Sequence, residues 1–213
     1  MMMRIDSVAT QPDRAGRYTV RFADGTVMRL YRQTVEDFGL YAGLELEQDV
    51  YQKLTDAAKA MSAKMRAVRI VAATNVSCQD LQQRLIQKGE DPQKAKEAVQ
   101  WMSDMSLVDD RRTAELIVDR CIQKGYGKSR AKQMLYEKRI PKEYWDEILE
   151  DYPAQSEAIV SFLHTRLKDE YGEKELKKAI DALLRRGHSY ADIRKGLEEI
   201  SAQLEDFREE SEW

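Results

Sequence analysis

The chain has 213 residues, 34% of them charged and 42% hydrophobic, with a formal net charge of -3. That balance suits a soluble, helix-rich protein with a large surface relative to its core, and it argues against a generally basic nucleic-acid binder. No apolar run reaches membrane-spanning length, no apolar h-region opens the chain, and Cys78 and Cys121 are the only cysteines. No membrane contact, no disulfide framework and a cytoplasmic location are therefore expected.

The first 58 residues read as a β-ribbon and a linking helix. Residues 4–8 alternate, and Arg17 to Phe22 place Tyr18, Val20 and Phe22 on one face. Asp24-Gly25 then stands between alternating runs, a strong hairpin signal, and the chain returns over Val27 to Leu30. Three such strands are marginal alone, so their apolar face is expected to pack on the following helix. Thr34 is expected to cap a short helical turn before Gly39, and a helix runs on from Gln48.

Residues 59–106 form the first of three helical modules. Met61, Met65, Val68 and Ala72 share one face. Ser77 is placed to cap a second helix with Asp80 three residues on, and Pro92 to start a third carrying Ala95, Val99 and Met102.

Residues 107–152 form the second module. Asp109 and Asp110 open a helix carrying Ala114, Ile117, Val118, Cys121 and Ile122, where acidic side chains oppose the positive pole of the helix dipole. Lys124, Gly125 and Gly127 end it. The next helix, Ser129 to Lys138, shows Ala131, Met134 and Leu135 inward, and Pro141 is placed to start the last.

Residues 153–204 repeat the plan with Ile159, Phe162, Leu163 and Leu167, then Leu176, Ala179, Ile180, Leu183 and Leu184. Ser189 caps a final helix facing inward with Ile193, Leu197 and Ile200. Residues 205–213 form an acidic tail, expected to fray.

An internal repeat supports this division. With Gly89, Arg139 and Gly187 in register, Leu85, Leu135 and Leu183 stand four residues before, and Lys88, Lys138 and Arg186 one before. Ala95, Trp145 and Ile193 follow six residues after, and Val99, Leu149 and Leu197 ten after; the register recurs after 50 and then 48 residues. The expected fold is mainly α: an elongated array of three tandem three-helix repeats behind a small N-terminal β-ribbon.

A search for chemistry finds little. His164 and His188 lie in different contexts, and no metal-ligand spacing or glycine-rich phosphate loop is present. Gly125-Tyr126-Gly127-Lys128-Ser129 resembles a phosphate cradle only superficially, because no strand precedes it. No catalytic residue, cofactor or metal is expected. Cys121 reads as a buried small side chain, and Trp145 as a packing residue.

The basic residues are more informative. Lys88, Lys138 and Arg186 end helices, where the dipole alone favours them. Lys128, Arg130 and Lys132 start one, where positive charge is disfavoured. An acidic partner surface, a phosphate backbone or a merely solvated face are the alternatives.

Taken together and in order, several motifs resemble the RecX family of RecA regulatory proteins. They are Ser77-x-x-Asp80-Leu81-x-x-x-Leu85-x-x-Lys88-Gly89; Leu107-Val108-Asp109-Asp110-x-x-x-Ala114; Tyr126-Gly127 before a basic helix ending Leu135-x-x-Lys138; and Leu183-Leu184-Arg185-Arg186-Gly187-His188-Ser189-Tyr190-x-x-Ile193. The resemblance covers roughly residues 60–200, and the Asp-Gly ribbon is similar to the N-terminal extension of many members. Thr113 stands where the family often has an aromatic residue, Lys128 where it has proline, Arg139 glycine and His188 phenylalanine.

The resemblance implies tandem three-helix units and a non-enzymatic regulator; a monomer is expected. Such a protein binds RecA filaments on single-stranded DNA and modulates, usually inhibits, ATP hydrolysis and strand exchange. With it, Lys128, Arg130, Lys132, Lys138, Arg139, Arg185 and Arg186 become the candidate partner-binding residues. Direct DNA contact, independent of RecA, is the alternative.

Overall fold

The computed structural model describes residues 2–167 and 172–211, with side chains described through residue 201. Two compact bodies comprise Met1–Val108 and Asp109–Trp213.

The first body opens with β1 (Met3–Val8), β2 (Arg17–Phe22) and β3 (Val27–Tyr31), then a short α1 (Arg32–Asp37) and a two-residue β4 (Glu45–Leu46). The antiparallel sheet has the order β3-β2-β1-β4. The expected ribbon is therefore four-stranded: Met3 pairs with Leu46 and Arg4 with Glu45, a strand too short to show alternation.

The Asp-Gly turn joins β2 to β3. Gly25 has φ +88°, and Asp24 Oδ1 accepts the Thr26 N–H at 2.8 Å. Val20 and Phe22 are buried, and the Phe22 ring meets Tyr51 edge-on at 5.4 Å. Tyr51 belongs to α2 (Gln48–Ala73), so the apolar face of the ribbon packs on the next helix. Thr34 corrects an expectation. It lies buried within α1, whose N-cap is Tyr31, and it makes no cap bond there.

One uninterrupted α2 serves two cores: Leu54 joins the sheet, while Ala63 and Ala67 join the first helical module. That module continues with α3 (Cys78–Gln87) and α4 (Pro92–Asp104). Ser77 Oγ accepts the Asp80 N–H at 3.0 Å, and Asp91 Oδ1 accepts from Gln93 and Lys94 ahead of the first turn of α4. Arg66 on α2 reaches the turn after α3, pairing with the nearly buried Glu90 at 2.8 Å.

The second body contains α5 (Asp110–Gln123), α6 (Lys128–Glu137), a 3-10 turn (Lys142–Tyr144) and α7 (Trp145–Glu150). Asp109 caps α5, accepting the Arg112 N–H at 3.0 Å. Ala114, Val118, Cys121, Ala131, Leu135, Ile140 and Leu149 form the core. Trp145 packs against it half-buried and donates its indole N–H to the Ile140 carbonyl at 3.2 Å. Pro141 caps the 3-10 turn rather than the third helix itself.

Then come α8 (Ser156–Arg166), α9 (Glu173–Arg185) and α10 (Tyr190–Ser211). Their core is Ile159, Leu163, Leu167, Ala179, Leu183, Ile193 and Ile200. Ser189 Oγ accepts the Asp192 N–H at 3.1 Å, the expected cap. Helix α10 is assigned to Ser211, past the point where the sequence reading begins the frayed tail. The tail's side chains, Trp213 included, lie outside the described residues.

The repeat register has a structural meaning. Gly89, Arg139 and Gly187 each follow a helix and each has positive φ, at +86°, +54° and +87°. The next residue, Glu90, Ile140 or His188, donates its N–H to the carbonyl of Leu85, Leu135 or Leu183. These are Schellman-type stops, closed over a leucine that is fully buried in all three modules.

Candidate partner-binding surface

Helix α6 starts at Gly127 without a side-chain cap. Its first N–H groups are satisfied from the next module: Gly127 donates to the Arg186 carbonyl at 3.0 Å, and Ser129 to the Gly187 carbonyl at 3.3 Å. Those carbonyls lie just past the C-terminal end of α9. The negative pole of one helix thus meets the positive pole of the other, a compensation inside the protein for Lys128, Arg130 and Lys132.

The approach is close enough to require glycine on both sides. A Cβ on Gly127 would collide with the Gly187 carbonyl, and one on Gly187 with the Arg130 backbone. His188 completes the junction. It is 6% exposed, its side chain hydrogen-bonds the Gly125 backbone, and burial holds its pKa below the usual value. On the same turn the Tyr152 hydroxyl donates to the Tyr126 carbonyl at 2.6 Å, and burial pushes that phenol up to about 12.

The candidate cations divide into two groups. Lys128 is exposed, and Arg130 is half-buried with its guanidinium 3.7 Å from Glu137. Both stand at the α6 start, beside Arg185 and Arg186 at the end of α9. Lys132 is exposed one turn along. Lys138 and Arg139 stand at the other end of α6, about 15 Å away for a ten-residue helix. Tyr136, 71% exposed, shares that helix.

Sequence reasoning treated Phe162 as a core residue. It is only half-buried, with the Arg186 guanidinium 4.5 Å and the Arg166 guanidinium 5.6 Å from its ring centroid. The Phe162–Arg166 spacing of one helical turn was the available signal; the Arg186 contact is tertiary.

Cys121 is fully buried, with Sγ 3.4 Å from Met134 Sδ, and burial raises its thiol pKa, an environment that keeps a thiol unreactive. Among the described residues no group of three His, Cys, Asp or Glu side chains could hold a metal ion. No described helix is long and apolar enough to cross a membrane.

A small antiparallel sheet followed by successive three-helix modules, each closed by the same turn, defines a helical-repeat protein. Residues 109–149 match the family model described as RecX, second three-helix domain. The chain is 29% identical over 150 residues to "Regulatory protein RecX" of Vibrio campbellii, covering 68% of this chain and 94% of that one. It is 26% identical over 174 residues to the protein of that name from Clostridium acetobutylicum, covering 78% and 81%. A solved structure described as regulatory protein RecX matches with a TM-score of 0.65 at 19% identity, over 91% of this chain and 99% of that one. RecX from Lactobacillus salivarius matches with a TM-score of 0.60 at 20% identity, over 68% and 99%. The family model and these relatives together support the RecX family.

Proposed function

We propose that this protein binds RecA filaments on single-stranded DNA and restrains their ATP hydrolysis and strand exchange, acting by binding and not by catalysis. The observation that carries this reading is the likeness to proteins named as RecX regulators over most of the chain, 68% and 78% in the two cases above. The exposed cations of the second body support it as a contact face for an acidic partner: Lys128 and Lys132 on α6, with Arg185 and Arg186 at the end of α9. The protein acts in the cytoplasm, as a monomer, without a cofactor.

The test is a titration of this protein into RecA turning over ATP on single-stranded DNA. The expected result is a dose-dependent fall in hydrolysis and in strand exchange. No change in hydrolysis, strand exchange or filament binding would overturn the proposal. Lys132 and the exposed Tyr136 on one helix favour a second reading, direct binding to single-stranded DNA. It predicts DNA binding without RecA that weakens steeply with salt.

A further inference from the structure

Between α8 and α9 lies a cavity of about 330 Å³, within the size range of ligand pockets. Phe162, Ala179 and Ala182 supply its apolar lining. Arg166, Lys178 and Arg185 stand around it, with Glu175 as the one acid among the described lining residues. Arg186 lies over the Phe162 ring from outside. None of these four cations forms a salt bridge with a carboxylate among the described residues. Among the described lining residues, three basic side chains thus stand against one acid.

From this geometry we infer that the groove is a docking site for an acidic peptide segment of a partner protein, with one aliphatic side chain seated against Phe162, Ala179 and Ala182. The small alanines make room for a branched side chain, and the surrounding cations meet flanking carboxylates. A nucleic acid suits the groove less well. The lining offers apolar surface that a phosphate cannot use. The groove adjoins the module junction, because Arg186 covers Phe162 with its side chain and holds Gly127 with its carbonyl. The inference rests on the reading that this protein meets a protein partner. Its test contains no RecA, so the two can fail separately.

The probe is a short fluorescent peptide with glutamates on both sides of a single leucine, its anisotropy followed as full-length protein is added. Controls replace the leucine by serine, or the glutamates by lysines, and labelled oligothymidylate is titrated in parallel. Binding of the glutamate–leucine peptide is expected. The Lys178→Glu/Arg185→Glu protein should weaken it by about tenfold or more with unchanged melting. Ala182→Leu, which fills the cavity, should weaken it while leaving oligothymidylate unaffected. If the charge-reversed protein melts early, Lys178→Gln/Arg185→Gln takes its place in the comparison. Absence of peptide binding, equal binding by these variants, or displacement of the peptide by oligothymidylate with both lost in the same variants would overturn the inference.

Discussion

Arg139 occupies the backbone position that glycine holds in the other two modules, at φ +54°. A side chain there crowds its own carbonyl at a cost of about 1–2 kcal/mol. Arg139→Gly should therefore raise unfolding stability by about 0.5–1 kcal/mol, the gain reduced by glycine's freedom in the unfolded chain and by loss of the arginine's contacts. A urea midpoint that does not rise would show that the position carries no strain. Leu135, four residues before the same bend at the end of α6, is fully buried, and Leu135→Ala should cost about 2–5 kcal/mol. His188 adds a pH dependence. Its folded pKa lies below the ordinary 6.5 because burial disfavours the charged ring. The unfolded chain thus takes up the proton first as pH falls. The contribution of neutral His188 is complete above about pH 6.5 and is lost as pH drops through the folded value. Melting temperatures followed through that window should fall on acidification, and His188→Phe should flatten the trend; an unchanged slope in that variant would assign the effect elsewhere.

At the scale of elements, most helix ends were legible because they are local. Ser77, Asp109 and Ser189 cap through their own side chains, and a residue type beside an apolar period is enough to place those helix starts. The repeat phase was legible for the same reason: Leu85, Leu135 and Leu183 are all fully buried. Helix α6 is different. The capping of its start by carbonyls of residues 186 and 187 is a contact between modules, invisible in a sequence window. From the chain alone, cations at that start have no internal compensation. The same limit hid β4, which exists only through pairing with β1, and the Arg186–Phe162 contact that marks the groove. Because Gly127 and Gly187 meet backbone to backbone, Gly127→Ala should force them apart. A loss of about 1–3 kcal/mol is expected, as for overpacked sites, together with faster amide exchange at Gly127 and Ser129. Unaltered exchange at those two amides would mean that the junction can shift without opening.

For the molecule as a whole, the decisive question is whether the α6 cations act outward. The carbonyls of residues 186 and 187 offset the helix-start penalty, so the dipole argument alone no longer demands a partner. Exposure and number still favour one: Lys128 and Lys132 point charge into solvent from a chain that is acidic overall. Arg130 shares its charge with Glu137, yet at 3.7 Å a partly exposed pair of this kind contributes only about 0–1 kcal/mol. Replacing Lys128, Arg130 and Lys132 together by glutamine should therefore change stability by no more than about 0.5 kcal/mol at each site. If these residues meet the RecA filament, the variant should need more protein to slow ATP hydrolysis. The salt dependence of that inhibition should also become shallower, because fewer charge contacts remain to be screened. Melting and inhibition are measured on the same preparation at two or more ionic strengths. A variant that melts normally and inhibits with the original affinity and salt slope would make the α6 cations a solvated face and leave the α8–α9 groove as the surface to test next.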